Sequence, residues 1–139
     1  MHSEYLKRLY LDNELARGEF VVGGEPVDLG ALRVPMFVVG TETDHVAPWR
    51  SVYRVHNLTH STDYTFVLTN AGHNGGIVSG PEHPRRKHRV LTLSDENEIP
   101  PPDDWVRSTA TVPGSWWPVW QRWLRARSNR RPQPARVVQ

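Results

Sequence analysis

The sequence predicts an α/β fold, and three observations carry that prediction. The run Met36-Phe37-Val38-Val39, entered from Pro35 and closed by Gly40, is continuously apolar, as strands buried on both faces of a parallel sheet are. A second apolar run, Tyr64-Thr65-Phe66-Val67-Leu68, reads as another strand. Between them, Pro48 can occupy the first turn of a helix reaching about Leu58, where its missing N–H costs nothing. Strand, helix, strand in this length is a right-handed crossover unit. It has parallel strands near 36–40 and 64–69 and a crossover helix near 48–58.

Ahead of this unit, Tyr5, Leu6, Leu9, Tyr10 and Leu15 recur at three- and four-residue spacing before Gly18, which predicts an amphipathic helix over His2 to Leu15. Glu19 to Val22 and Glu25 to Leu29 read as two short strands around Gly23-Gly24, a pair that tolerates the positive φ of a tight hairpin. Pro26 confines the second arm to an edge. After Gly80 the charged run Pro81 to Arg89 and the stiff Ile99-Pro100-Pro101-Pro102 predict loop with little regular structure. A C-terminal helix near 116–127 carries Trp116, Val119, Trp120, Trp123 and Leu124 on one side, a row that reads as core packing rather than an exposed binding strip.

Composition bounds the function. With 139 residues the chain fits one small domain, and 12 prolines with 10 glycines argue against a tidy helical bundle. There is no cysteine, so disulfides, thiolate metal sites and a cysteine nucleophile within this sequence are excluded. No apolar run reaches the ~18 residues of a membrane span, and the first residues lack a secretory pattern, which reads as cytoplasmic. The net charge is only +2, yet Arg125, Arg127, Arg130, Arg131 and Arg136 fall after Trp123 with no acid among them. Such a basic tail can neutralise phosphates non-specifically, but no recognition helix or stacking platform accompanies it.

Two residues stand where α/β folds place chemistry, on loops at the carboxyl ends of strands. Asp44 lies four residues past the first strand and His73 five past the second, in Gly72-His73-Asn74-Gly75-Gly76. Parallel neighbours are ~5 Å apart, so an acid and an imidazole on same-end loops can reach hydrogen-bonding distance. The same spacing also suits a turn aspartate and a loop histidine without chemistry. A nucleophile elbow is absent, since no serine lies in Gly-x-Ser-x-Gly. His56 and His60 are one helical turn apart, but no further ligand is evident, and a solvated helix face accounts for them. The run Arg85 to Arg89 could receive an anion or be a wet surface.

Several ordered blocks carry a family resemblance. They are Met1-His2-Ser3-Glu4-Tyr5-Leu6, Leu9 to Leu15, Gly40-Thr41-Glu42-Thr43-Asp44-His45-Val46-Ala47-Pro48-Trp49, Thr65 to Thr69, Gly72 to Ser79, and Gly114-Ser115-Trp116-Trp117-Pro118. Together they resemble the C-terminal part of a polyhydroxyalkanoate synthase from residue 1 through about Arg127. The resemblance implies the C-terminal half of an α/β-hydrolase fold over 1–127, an incomplete catalytic domain, followed by a basic flexible tail at 128–139. It implies an acyltransferase that polymerises 3-hydroxyacyl-coenzyme A into polyester and releases coenzyme A, with the thioester as substrate and neither cofactor nor metal. In that family a cysteine in a lipase-like box carries the growing chain. His73 matches the histidine that deprotonates it, and Asp44 matches the aspartate assigned to activating the incoming hydroxyl.

Because the cysteine is lacking, the chain is expected to be inactive alone and, with strand edges uncovered, to be poorly soluble or to oligomerise. The expected partners are an N-terminal half that completes the site, a homodimer mate or a separate synthase chain, at the surface of polyester granules. The competing reading is a non-catalytic granule-associated or dimerisation module.

Overall fold

The computed structural model describes residues 2–94 and 99–128. The basic tail expected beyond Ser128 lies outside the described residues. A four-stranded mixed sheet in the order β3-β4-β5-β6 forms the centre. Its strands are β3 (Met36–Thr41), β4 (Asp63–Thr69), β5 (Lys87–Ser94) and β6 (Val112–Pro113). β3 and β4 run parallel, with Met36 opposite Tyr64 and Thr41 opposite Thr69. The expected strand pair and its helical connection are present: α2 (Trp49–Tyr53) runs into a 3-10 turn, Arg54–Leu58.

Side-chain alternation along the strands sorts the aromatic residues onto two faces. On one, Tyr64, Phe66 and Leu68 meet Trp49 and Tyr53 of α2 and Trp105 of α4 (Pro102–Ser108), flanked by Met36 and Val38. On the other, Phe37 packs edge-on against Trp123 and beside Trp116 at ring separations of 5.6 and 6.1 Å. These rings tie α5 (Trp117–Arg127) to the sheet. The tryptophan row is therefore mainly packing, with Trp116 buried and only Trp120 of its three rings exposed.

Three expectations need correction. Met36 to Val39 are half-buried rather than buried on both faces, because β3 is the outer strand and β4 takes the interior position. The stretch after Gly80 is loop only as far as Arg86: β5 then pairs antiparallel with β4 from His88 to Ser94, and α4 follows. The charges that argued against a strand are accommodated, since His88 Nδ1 donates to the Gly114 carbonyl and Arg89 bonds Glu42 and the Thr109 carbonyl. Lastly, the N-terminal helix stops early. α1 (His2–Tyr5) continues as a π-helical segment, Leu6–Leu11, then ends at Asp12, and Asn13 turns left-handed with φ 51°. Tyr5, Leu6, Tyr10 and Leu11 on it are exposed. The hairpin forms as expected but is short, with β1 (Val21–Val22) against β2 (Glu25–Pro26).

Candidate functional site

The parallel ladder of β3 and β4 continues past the strand ends into their loops. The Glu42 amide donates to the Thr69 carbonyl at 2.9 Å and the Thr43 amide to the Ala71 carbonyl at 3.2 Å. Ala71 adopts φ 78°, a left-handed conformation that non-glycine residues seldom hold. The second loop is moored from the other side by Asn70, whose amide group bonds the Arg85 carbonyl and the Lys87 amide. These bonds fix the two loops against each other.

Asp44 and His73 meet across that junction, with His73 Nδ1 2.8 Å from Asp44 Oδ2. The carboxylate is nearly enclosed, at 7% side-chain exposure against 51% for the imidazole. Its other oxygen accepts from the amides of Val46 and Ala47 at 2.8 and 2.9 Å, and Thr41 Oγ1 donates to Oδ2. The Ala47 amide is the largest cause holding the Asp44 carboxyl far below its ordinary value, followed by the hydrogen bond from His73, while desolvation opposes both. An ionised carboxylate only accepts hydrogen bonds. In the neutral ring the His73 proton therefore sits on Nδ1 and the lone pair on Nε2, in a side chain that is half exposed.

A depressed carboxyl pKa stabilises the fold above the unfolded-state value and loses that contribution as pH falls toward the folded-state value. The melting-temperature advantage of the native chain over Asp44→Asn should accordingly be constant above about pH 5 and shrink below about pH 4. Thermal melts of both chains across this range check it; an advantage that grows on acidification would refute the assignment.

The remaining candidates are occupied elsewhere. His56 Nδ1 bonds the Tyr53 carbonyl and His60 Nδ1 the Gly30 carbonyl. Among the described residues no group of three or more metal-ligating side chains comes together. Within the run Arg85 to Arg89, Arg89 is paired with Glu42 at 2.6 Å, and Lys87 to Arg89 lie in β5. No helix among the described residues is long and apolar enough to cross a membrane. Sequence reasoning missed Thr41, Asn70 and Arg89 as supports of the site. Only Thr41 left a local signal, three residues ahead of Asp44 at the strand end.

No protein-family model matches the chain. Individual proteins do. It is 37% identical over 136 residues to the poly(3-hydroxyalkanoate) polymerase subunit PhaC of Rhizobium meliloti, covering 97% of this chain. The poly(3-hydroxyalkanoate) polymerase of Methylorubrum extorquens is 37% identical over 98% of the chain, and the Cupriavidus necator subunit PhaC 35% identical over 94%. The chain belongs to the polyhydroxyalkanoate synthase family. It spans about a fifth of the length of these relatives, covering 21% to 22% of each. This synthase segment holds its acid and histidine together through its own strands and loops.

Proposed function

We propose that the chain is the C-terminal part of an α/β-hydrolase-like synthase domain and supplies the acid–histidine half of its acyl-transfer centre. The observation that carries this reading is the Asp44–His73 contact, with an enclosed carboxylate on one nitrogen of a half-exposed imidazole. Such a ring can act as a general base near neutral pH. The nucleophile would be a cysteine thiol from polypeptide outside this cysteine-free sequence.

In the acylation step His73 Nε2 takes the thiol proton, and the thiolate attacks the thioester carbonyl of a 3-hydroxyacyl-coenzyme A. The new C–S bond replaces the one to coenzyme A, whose sulfur leaves with the proton held on His73. In elongation the same nitrogen takes the proton of an incoming 3-hydroxyl. The alkoxide then forms the ester, and the cysteine sulfur departs with that proton.

Asp44 is better suited to serving His73 than to deprotonating the hydroxyl itself. Its two oxygens already accept four hydrogen bonds, and a carboxylate of such low pKa is a poor base. It fixes the ring's tautomer and orientation and stabilises the imidazolium that forms in each step.

The test is a chimera in which this chain replaces the stretch that it matches in the Rhizobium meliloti polymerase, assayed for coenzyme A release from 3-hydroxybutyryl-coenzyme A. Turnover by the chimera and none by the isolated chain is expected. A folded chimera without turnover, beside an active parent, would leave the chain as a non-catalytic module.

A further inference from the structure

α3 (Gly75–Val78) begins two residues after His73 and is a single turn. A helix this short cannot hold itself, because nucleation fixes several residues for one hydrogen bond and the last carbonyls have no internal partner. Here those carbonyls are satisfied from a distant segment. Trp116 Nε1 donates to the Gly76 carbonyl at 3.0 Å, Trp117 Nε1 to the Ile77 carbonyl at 2.8 Å, and Ser115 Oγ to the Ser79 carbonyl at 2.8 Å. Three consecutive side chains thus grip the end of α3, across separations of 36 to 40 residues.

The grip is itself bolted down. Gly114, at φ 96°, donates its amide to the Arg86 carbonyl, and its own carbonyl accepts from His88 Nδ1 of β5. Ser115 Oγ also accepts from the Trp117 amide at the start of α5, and Trp116 packs on Phe37 of β3. The other side of α3 lies against Thr41. A Cβ added at Gly76 would lie 2.6 Å from Thr41 Cγ2, and Thr41 is the residue whose hydroxyl reaches Asp44 Oδ2. Displacing α3 would therefore disturb both partners, His73 through the chain and Asp44 through Thr41.

We propose that Ser115, Trp116 and Trp117 are positioning residues that hold α3, and through it the Asp44–His73 hydrogen bond, in register. This rests on the reading of Asp44 and His73 as the working pair.

The test is nitrogen NMR of the full chain with isotope-labelled histidine, at a pH where the His73 ring is neutral, alongside thermal melts of the same samples. The native chain should show His73 as the Nδ1–H tautomer. Ser115→Ala and Trp116→Phe should each lose that signal toward the Nε2–H form, whereas Ser115→Thr, which keeps the hydroxyl, should restore it. Lowered melting temperatures with an unchanged His73 tautomer would overturn the proposal, leaving the three residues as packing alone. Asp44→Asn separates the two ideas: if it too leaves the tautomer unchanged, the pair itself is the reading that fails. Should Trp116→Phe not fold, Ser115→Ala decides, since it removes one oxygen and little volume.

Discussion

In the chimera, His73→Ala should lower coenzyme A release by about 10³-fold or more, and Asp44→Asn should lower acylation and elongation together by a comparable factor. The alanine variant removes the imidazole that the proposed function makes the base in both steps. The asparagine variant acts by a different route. Its amide oxygen can still accept from Val46 and Ala47, but the atom that faces His73 becomes an amide nitrogen, which only donates, and the Nε2–H tautomer it favours has no lone pair where the proton must go. Both steps need that lone pair, so both should fall. Measuring the first-turnover burst of coenzyme A separately from steady polymer growth checks this. If acylation survived in Asp44→Asn while growth stopped, Asp44 would be acting directly on the hydroxyl.

The largest expected change in stability comes from Trp105→Ala. Trp105 is 2% exposed and sits 5.4 Å from Tyr53 in a stacked pair, 5.3 Å from Phe66 and 6.3 Å from Trp49. Truncation should cost about 3–5 kcal/mol through lost burial and an unfilled cavity, a large share of the ~5–15 kcal/mol that typically separates folded from unfolded. Trp105→Phe should be far milder. The indole N–H of Trp105 has no hydrogen-bond partner among the described residues, so phenylalanine forfeits only ring size, about 1–2 kcal/mol. Thermal or urea melts of the two variants distinguish burial from hydrogen bonding. Equal losses would mean that the indole nitrogen is bonded after all.

Trp105 also shows where sequence reading runs out. Ile99 to Pro102 reads as a stiff extended loop, yet Pro102 opens α4, with Asp103 and Asp104 in its first turn. Proline there forfeits no hydrogen bond, and acids favour the positive end of a helix; Asp103 also pairs with Arg50 of α2. β5 was hidden by Lys87, His88 and Arg89, whose partners lie 20 to 47 residues away for Arg89 and 26 for His88. By contrast β3, α2 and β4 were legible because their apolar runs and Pro48 act locally. The candidate pair was legible for the same reason, as the strand ends place Asp44 and His73 by counting. Ser115, Trp116 and Trp117 were seen as the start of a helix, but nothing in their spacing says that their polar atoms reach back to α3.

The ladder between β3 and β4 has a thermodynamic consequence for the pair. Asp44 and His73 are 29 residues apart in sequence, and closing a flexible loop of that length costs about 3 kcal/mol of chain entropy before any bond is made. Six consecutive strand pairings and two further backbone bonds hold that loop closed in the folded chain. The pair is ordered by the fold itself, so under the proposed function little of the energy of binding an acyl thioester would be diverted to aligning the base with its acid.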